Sequence, residues 1–539
     1  MSFVFRPLAR AASRAHSAKR FASTSATSAA PTASRGRLGA AVVTGAALTL
    51  LAYGALQSNR AEAEAGAVRF PASSGKLTGE RIVSLGELEK HTHTGSLWVV
   101  IDSKVYDVTN FAKEHPGGSK VLLEWAGKDV SKLFWMIHPG TTLEKHEYDT
   151  VVFVGKLDDD AVEKFAMTKS DEDRDIEKAK AALFGVDSVA SISDFERYAK
   201  DCLSLVAWAY FSTGADSEDS LSENAAAYTR VFFRPRIMRN VQGVDASTEI
   251  LGYKSSIPVY VSPTARNGWG NPEGEVAVAK GAGAGGILQV LSHYASRSLE
   301  EVKAAAREGQ EIGWQLYLSP DREKSAQAVR DAVAAGAHSI WITADTTILG
   351  KREVERRMLA EATPTPNGKP LTRTPVVYSN HELNMSWDDI NWVKKLAPGL
   401  PVVIKGVGAW EDVEEAYKAG ADAVVLSNHG GRQLNFAEAP LKTLADVNKF
   451  APQVLGQERF SIFVDGGIRH GTDVLKAVCL GARGVGLGRP FIYAATGWGA
   501  EGVEKAIMIL REEIEIGMAL LGVTKLDQLG PQYVDTSKL

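Results

Sequence analysis

The chain is organised around one short strand and the loop that follows it, Ala423-Val424-Val425-Leu426-Ser427-Asn428-His429-Gly430-Gly431-Arg432-Gln433. The first four residues are continuously apolar, which predicts a buried parallel strand that ends at Ser427. His429 and Arg432 then place a titratable base and a permanent cation on one glycine-rich turn. This pairing favours proton abstraction from an anionic substrate, although a strand-capping histidine beside a surface arginine gives the same local pattern.

The alternation of strand and polar loop recurs along the second half of the chain. Apolar runs of strand length alternate with helix-like segments. The predicted strands cover residues 257–261, 286–291, 314–318, 339–343, 402–405, 423–426, 461–464 and 484–487. Gly336, Gly420 and Gly481 each precede a strand and stand where a helix is expected to end. Eight such alternations predict an α/β fold, the (β/α)8 TIM barrel.

The composition is that of a globular protein with two or three domains: 539 residues, 45% hydrophobic and 23% charged. A net charge of -4 gives no sign of nucleic acid or of an anionic membrane surface as a partner. The two cysteines, Cys202 and Cys479, exclude a disulfide framework, and the apolar surroundings of Cys479 favour a buried thiol. The sequence has no Cys-x-x-Cys-His motif, so any haem would be bound without covalent links.

The amino-terminal region has the composition of a targeting signal. Residues 1–60 contain no aspartate or glutamate, and Arg6, Arg10 and Arg14 fall on one helical face. This pattern is typical of a mitochondrial presequence, with a solvated disordered tail as the alternative. Residues 38–56 carry no charge and are long enough to span a bilayer, which predicts a sorting segment that contacts the inner membrane. We therefore expect a presequence over the first 70 residues of the chain.

The remainder of the chain divides into three predicted parts. A small α+β domain occupies residues 80–157. Residues 158–190 are rich in charge and are predicted to be a linker. The barrel domain follows over residues 191–539.

The small domain carries a candidate haem site. Two strand-like runs precede the loop His115-Pro116-Gly117-Gly118, and His138 follows in a second loop. The glycines let the backbone pass close to a flat ligand, and two neutral imidazoles can bind a haem iron from both sides. The stretch resembles a cytochrome b5-type domain, which implies haem b with His115 and His138 as iron ligands. Purely structural histidines are the alternative.

Barrel enzymes carry their chemistry at the carboxyl ends of the strands. Polar and charged residues stand at or just after the predicted strand ends of this chain. Those that can bind a substrate or cofactor are Ser292, Gln315, Tyr317, Thr343, Asp345, Lys405, Ser427, Asp465, Arg469, Gly488 and Arg489. The last two strand ends combine glycine with arginine, where such barrels hold phosphate through backbone amides. The sequence therefore predicts a phosphate-bearing cofactor, and the long connection over 345–401 predicts a lid.

Three motifs of the barrel resemble the FMN-dependent L-2-hydroxy-acid oxidases and dehydrogenases. They are Ser427-Asn428-His429-Gly430-Gly431-Arg432-Gln433-Leu434, Asp465-Gly466-Gly467-Ile468-Arg469-His470-Gly471-Thr472-Asp473 and Gly488-Arg489-Pro490. With a haem domain in front, the resemblance implies oxidation of an L-2-hydroxy acid, most directly L-lactate to pyruvate. Electrons would pass from FMN through haem b to cytochrome c, in a homotetramer.

Two other functions remain open at this point. An oxidase would pass electrons from FMN to oxygen and produce hydrogen peroxide. A haem-binding electron carrier or sensor could stand on a catalytically silent barrel.

The resemblance also implies roles for individual residues. His429 would take the substrate's proton with Asp345 as its partner, Arg432 and Tyr210 would bind the substrate carboxylate, Tyr317 would bind the hydroxyl oxygen, and Arg352 would be a second, mobile cation. Lys405 would stand near the flavin N1 and C2 carbonyl. The other FMN-binding residues would be Ser292, Gln315, Thr343, Ser427, Asp465, Arg469, Gly488 and Arg489.

Three residues depart from the family pattern. Arg266 replaces an apolar residue, Tyr294 replaces a smaller one beside the substrate side chain, and Asn435 replaces an aspartate. The first two bear on which 2-hydroxy acid fits.

The two ends of the chain give conflicting predictions of its location. The presequence predicts the mitochondrial intermembrane space. Ser537-Lys538-Leu539 is a peroxisomal signal when it is accessible, so the peroxisome is the alternative.

Overall fold

A computed structural model describes residues 81–115, 119–131, 134, 150–167, 171–362 and 381–539 of the chain. The predicted presequence, its uncharged segment 38–56 and the predicted iron ligand His138 lie outside these residues. Within the described ranges, no helix is both long enough and apolar enough to cross a membrane.

The predicted (β/α)8 barrel is confirmed. Eight parallel strands close into a barrel in chain order, the last pairing with the first. They are β1 Val259–Val261, β2 Leu288–Leu291, β3 Ile312–Leu316, β4 Ile340–Thr343, β5 Val402–Val407, β6 Ala423–Leu426, β7 Ser461–Asp465 and β8 Gly484–Leu487. Their residues are almost all buried because helices cover the outside of the barrel and side chains fill its interior.

Aromatic rings fill the inside of the barrel. Tyr260, Trp341 and Phe463 project inward from β1, β4 and β7, with ring centroids 5.1 to 5.8 Å apart, and all three are fully buried. Their burial removes water from the barrel interior. Polar side chains can therefore meet solvent and ligands only at the ends of the strands.

Helices surround the barrel and precede it. Three of them come before β1, at Ile192–Cys202, Leu205–Ser212 and Asp219–Thr229. The later helices are Glu275–Gly285, Leu299–Ala305, Arg322–Ala334, Glu353–Ala362, Asp388–Leu396, Trp410–Lys418, Pro440–Phe450, Gly471–Cys479 and Arg489–Leu521. The last is broken at Trp498 and Gly499, where the backbone is not helical. Cys479 is buried as predicted, and burial raises the pKa of its thiol to about 12.

The three predicted helix-ending glycines have the expected backbone. Gly336, Gly420 and Gly481 all have positive φ angles, between 81° and 98°. A left-handed residue at this point ends a helix and turns the chain toward the next strand, and only glycine adopts it without strain. These turns set the spacing between each helix and the strand that follows it, at the end of the barrel where the strands begin.

The small domain is a five-stranded mixed sheet with short helices, as predicted. In spatial order its strands are Ile82–Val83, Val152–Leu157, Lys104–Asp107, Ser96–Ile101 and Thr92–His93. Among its described residues, the helices are Leu85–Leu88, the 3-10 turn Phe111–Lys113 and Ser119–Glu124. Separate apolar clusters contain alternate residues of Ser96–Ile101, so the sheet is buried on both faces.

The charged interval predicted as the linker is largely helical. It contains Asp159–Met167, Asp171–Ala181 and the 3-10 turn Val186–Ser188. Ala161 of the first helix is buried in one apolar cluster of the small domain, beside Leu88. The first part of this interval therefore packs with the small domain.

Candidate active site

A pocket lies at the carboxyl ends of the barrel strands, where the sequence places its polar residues. Ten of the predicted site residues line it: Tyr210, Ser292, Tyr317, Lys405, His429, Arg432, Asp465, Arg469, Gly488 and Arg489. Asp345, Arg352, Gln315, Thr343 and Ser427 contact or adjoin these residues from behind the wall. The barrel thus brings together the described residues of the predicted barrel site.

His429 and Asp345 form a hydrogen-bonded pair across the ends of β6 and β4. His429 Nδ1 lies 2.9 Å from Asp345 Oδ1, and their side chains are 22% and 10% exposed. Because a carboxylate only accepts, Nδ1 carries the proton and Nε2 keeps its lone pair. The φ angle of His429 is 59°, a left-handed conformation that is uncommon outside glycine and is often found at functional sites.

The charges around this pair favour an ionised aspartate and a neutral histidine. Burial opposes ionisation of Asp345, but His429, Lys405 and a hydrogen bond from Thr346 outweigh it and lower its pKa to about 2. Burial lowers the pKa of His429, and the cations Lys405 and Arg352 act in the same direction, while Asp345 opposes them. The imidazole is therefore ready to accept a proton near neutral pH.

Thr346, which no sequence pattern marks, contacts both members of this pair. Its hydroxyl donates to Asp345 Oδ1 at 2.8 Å and lies 3.2 Å from His429 Nδ1. The side chain is buried, so the contact is protected from water. Thr346 therefore fixes the carboxylate oxygen that holds the imidazole.

Arg432 is held in place by backbone carbonyls. Its Nη1 donates to the carbonyl oxygens of Tyr210 at 2.6 Å and Thr213 at 2.9 Å. Its guanidinium also lies 4.9 Å from the Tyr210 ring centroid. Arg352 Nε donates to the carbonyl of Arg432 at 3.1 Å. Arg432 and the Tyr210 ring therefore line the pocket together with His429, and Arg352 contacts Arg432 from behind, a setting suited to a carboxylate.

Lys405 supplies a buried positive charge at the end of β5. Its ammonium lies 3.1 Å from Ser427 Oγ and 3.4 Å from Asp465 Oδ2. Burial opposes the charged form, but Asp465 and Asp345 outweigh it and raise the pKa of Lys405. The lysine stays protonated, and Ser427 Oγ in turn accepts from the His429 backbone N–H at 3.0 Å.

The floor of the pocket fits a polar, planar cofactor. Among the described residues, Gln315 Nε2, Thr343 Oγ1, Asp465 Oδ1 and Ser262 Oγ are buried without a hydrogen-bond partner. Gln315 Oε1 accepts from Ser292 Oγ at 3.2 Å, which leaves its amide nitrogen as a free donor. Buried polar atoms are rarely unpaired, so this set indicates a bound ligand with matching donors and acceptors, as FMN has.

The far end of the pocket combines glycine with two arginines. Gly466 and Gly467 have φ angles of 97° and 82°, and a Cβ on Gly467 would lie 2.1 Å from the carbonyl oxygen of Asn224. Arg469 lines the pocket, and its Nη2 lies 3.4 Å from Glu196. Such backbone suits a phosphate, which binds through amide N–H groups as well as cations.

Arg489 differs from a simple phosphate-binding arginine. Its three guanidinium nitrogens donate to the carbonyls of Phe211, Gly430 and Thr213 at 2.8 to 2.9 Å. Burial and the neighbouring Arg432 lower its pKa to about 10, so it remains charged at neutral pH. Arg489 therefore ties the loop after β6 that carries His429, here called the His429 loop, to the carboxyl end of the helix Leu205–Ser212 and to Thr213. Arg489 also lines the pocket.

In the described part of the small domain, an aromatic side chain lies beside His115. Phe111, Leu122, Trp125 and Phe134 are partly buried against one of its cores. The Phe111 ring lies 5.6 Å from the His115 ring. An imidazole next to apolar aromatic side chains fits a haem, whose large faces are apolar.

The residues that depart from the family pattern all lie close to the site. Arg266 lies 5.8 Å from the Tyr210 ring, and its backbone N–H donates to the carbonyl of Tyr294 at 3.3 Å. Asn435 accepts from the Ser220 N–H at 3.0 Å and so contacts the first turn of the helix Asp219–Thr229. Asn435 is not among the residues that line the pocket.

The fold and the pocket define a (β/α)8-barrel protein whose strand ends present cations and glycine-rich backbone beside a histidine–aspartate pair. Residues 199–536 match the model of the FMN-dependent dehydrogenases, and residues 84–158 match that of the cytochrome b5-like heme/steroid binding domain. The chain belongs to the FMN-dependent dehydrogenase family and carries a cytochrome b5-like domain in front of the barrel. The predictions of an FMN-dependent oxidoreductase and of a haem domain are confirmed.

Individual relatives agree with this assignment. The chain is 42% identical to an L-lactate dehydrogenase (cytochrome) of Wickerhamomyces anomalus, over 84% of this chain and 79% of that protein. It is 35% identical to a peroxisomal (S)-2-hydroxyacid oxidase of Arabidopsis thaliana, over 65% of this chain and 98% of the relative. A solved structure of a mutant flavocytochrome b2 with pyruvate bound is 41% identical, with a TM-score of 0.63 over 69% of this chain and 92% of that one.

Two asparagines that sequence reasoning missed join a helix to the His429 loop. Asn224 and Asn428 exchange two side-chain hydrogen bonds of 2.7 Å, and both are buried. Asn428 Oδ1 also accepts from the Gly431 N–H at 2.9 Å. Asn428 adjoins His429, but no sequence pattern marks Asn224, which lies 204 residues away.

We predict that Asn224→Ala lowers the free energy of unfolding by about 1 to 3 kcal/mol, because the buried Asn428 amide loses both hydrogen bonds to Asn224 and keeps only those with Gly431 and Glu438. It should also raise the KM for substrate, since the loop that carries Arg432 loses a tether. Chemical denaturation and steady-state kinetics measure the two effects. Asn391→Ala, which truncates an exposed amide of the same barrel, is the control. Equal stability of the two variants would contradict the prediction.

Proposed function

We propose that the protein oxidises an L-2-hydroxy acid, most directly L-lactate to pyruvate, and passes the electrons through FMN and haem b to cytochrome c. The observation that carries the proposal is the His429–Asp345 pair. His429 keeps an unprotonated Nε2, and it lines the same pocket as Arg432. A base beside a cation suits a hydroxy acid, which presents a carboxylate next to the carbon to be oxidised. The similarity to an L-lactate dehydrogenase (cytochrome) and to flavocytochrome b2 with pyruvate supports lactate.

The pocket residues divide the work by their chemistry. Arg432 binds the substrate carboxylate, with Tyr210 beside it, and the carbonyls of Tyr210 and Thr213 keep the guanidinium in position. Tyr317 donates a hydrogen bond from its hydroxyl to the substrate oxygen, and burial raises the pKa of Tyr317, which keeps it a donor. Arg352 adds a second positive charge near the carboxylate.

His429 moves the proton. Its Nε2 accepts a proton from the substrate, and Asp345 stabilises the imidazolium that forms. Bound FMN would supply a two-electron acceptor, held by Ser292, Gln315, Thr343, Lys405, Ser427, Asp465, Arg469, Gly488 and Arg489. The protonated Lys405 keeps a positive charge at this end of the pocket, where it stabilises negative charge that develops during the reaction.

The haem domain distinguishes the leading function from its alternatives. If His115 and His138 both held the iron of a haem, no position would remain for oxygen, and the group would supply one-electron transfer to an acceptor such as cytochrome c. An FMN oxidase that produces hydrogen peroxide is the second candidate, because the barrel is also similar to an (S)-2-hydroxyacid oxidase. A catalytically silent barrel is disfavoured, since the His429–Asp345 pair and Arg432 are assembled in one place. The homotetramer stays a prediction.

We predict that the purified full chain, mixed with a panel of 2-hydroxy acids, reduces cytochrome c faster than it forms hydrogen peroxide. His115→Ala and His138→Ala should retain reduction of the flavin by substrate but lose most cytochrome c reduction, because the haem loses an iron ligand. His93→Ala, at an exposed histidine of the same domain, is the control. Unchanged cytochrome c reduction in the His115 variant would favour the oxidase function over electron transfer through the haem.

We predict that His429→Gln binds FMN normally but reduces its flavin about 10² to 10⁴ times more slowly, because the proton acceptor is lost. Stopped-flow absorbance of the flavin measures the rate, and absorbance of the purified protein measures the FMN content. The control is His338→Gln, at a histidine near the opposite end of the barrel. Near-normal turnover of the His429 variant would refute the assignment of the base.

The pH dependence of the wild-type chain provides a further check of the same prediction. Once His429 is protonated it cannot accept the substrate's proton, so kcat/KM should fall as the pH drops through its pKa. Burial and the nearby cations lower this pKa, so the fall should lie below the ordinary histidine value of about 6.5.

We propose the mitochondrial intermembrane space as the location, on the basis of the acid-free, arginine-bearing residues 1–60. The peroxisomal alternative rests on Ser537-Lys538-Leu539. Leu539 packs partly against the barrel core, so a receptor that bound the tripeptide would have to release it, whereas Ser537 and Lys538 are exposed.

We predict that residues 1–65 direct a fused reporter to mitochondria, because this segment contains the basic helical face. Deletion of residues 537–539 should leave the location of the full chain unchanged. Fluorescence microscopy with markers for both organelles measures the outcome. A peroxisomal full-length protein would reverse the proposal.

A further inference from the structure

Three rings form a cluster at one side of the pocket. Tyr317 lines the pocket, and the ring of His381 lies parallel to it, with centroids 4.2 Å apart and planes 3° apart. Tyr294 stacks on Tyr317 as well, at 5.3 Å and 22°. The sequence marked Tyr294 only as a departure from the family and gave no role to His381. The orientation of the Tyr317 ring therefore depends on two neighbours outside the predicted catalytic set.

Hydrogen bonds set the protonation pattern of His381. Its Nδ1 lies 2.6 Å from the carbonyl oxygen of Thr346, and its Nε2 lies 3.0 Å from the Tyr294 hydroxyl. A carbonyl oxygen only accepts, so Nδ1 carries the proton. In the neutral ring, Nε2 is then the acceptor, and the Tyr294 hydroxyl donates to it. Both ring nitrogens therefore make hydrogen bonds, and the residue is only 7% exposed. These two bonds hold the imidazole of His381 at opposite edges of the ring.

The same histidine is connected to the proposed base through two residues, Thr346 and Asp345. The Thr346 carbonyl accepts from His381, and the Thr346 hydroxyl donates to Asp345, which holds His429. The contacts form a continuous path from Tyr294 through His381 and Thr346 to Asp345. His381 also stacks on Tyr317, so it contacts the hydroxyl donor directly and is linked to the base through Thr346 and Asp345.

We propose that His381, fixed by Tyr294, is a positioning residue that aligns the Tyr317 hydroxyl and the Thr346–Asp345–His429 contacts for removal of the substrate's proton. The inference rests on the function proposed above for Tyr317 and His429. His381 acts through these residues. Its loss should therefore lower the rate of the chemical step more than the binding of substrate or of FMN.

The experiment is a double-mutant cycle in the full chain, with the rate of flavin reduction by L-lactate measured by stopped flow. His381→Phe keeps a ring for the stack but removes both hydrogen bonds, and Tyr294→Phe removes only the hydroxyl. The net contribution of one hydrogen bond corresponds to about fivefold in rate, so Tyr294→Phe should cost about that and His381→Phe about tenfold or more. KM and FMN content should change by less than about threefold.

Coupling provides the decisive comparison. In a Tyr294→Phe background, His381→Phe should cost less than it does alone, because the shared hydrogen bond is already gone. In a Tyr317→Phe background, His381→Phe should also cost less than it does alone. The reason is that Tyr317, one of the groups that His381 positions, no longer bears a hydroxyl. Additive effects in both backgrounds would overturn the inference, as would an unchanged rate in His381→Phe.

Controls separate positioning from general loss of structure. His338 is a partly buried histidine near the opposite end of the barrel, where it precedes β4. His338→Phe should leave the rate of flavin reduction unchanged, and thermal unfolding of both variants shows how much stability each loses. If His338→Phe slowed flavin reduction as much as His381→Phe does, the effect would be structural and the inference would fail. If the wild-type chain did not reduce its flavin with any 2-hydroxy acid, the proposed function itself would fail.

Discussion

The hydrogen bond between His429 Nδ1 and Asp345 Oδ1 is the contact on which the rest of the site depends. It requires the ends of β4 and β6 to stand two strands apart in a closed barrel, with β5 between them. Gly406 on β5 makes room, because a Cβ there would lie 2.5 Å from the Asp345 Cβ. The barrel supplies this geometry, and the charges of His429 and Lys405 with the hydrogen bonds outweigh the cost of burial and keep Asp345 ionised.

An excess of positive charge surrounds that pair. Arg432, Arg489 and Lys405 line the pocket, whereas Asp465 is the acid that lines it and Asp345 stands behind the wall. Backbone carbonyls hold Arg432 and Arg489, so neither guanidinium is neutralised by a carboxylate through those contacts. A pocket of this kind favours anions, which accords with a cofactor phosphate and a substrate carboxylate.

Buried polar residues outside the pocket hold its loops in place. Glu275 is almost fully buried and accepts backbone N–H bonds from Asn267, Ser296 and Arg297, in the loops that follow β1 and β2. Asn224, Asn428 and Asn435 join the helix Asp219–Thr229 to the His429 loop in the same way. Because an unpaired buried polar group is costly, such contacts keep loops in one arrangement, which a reaction centre requires.

The sequence by itself determined the eight strands, the helix-ending glycines, the haem-type domain and the strand-end residues such as His429, Lys405 and Asp465. These features depend on local periodicity, turn chemistry and short motifs, all of which are read along the chain. Only the tertiary structure decided that Thr346 contacts Asp345, that Asn224 pairs with Asn428, and that His381 stacks on Tyr317. Apart from the first, these contacts join segments far apart in the chain, and their side chains meet only because the barrel closes and brings separate loops to one end.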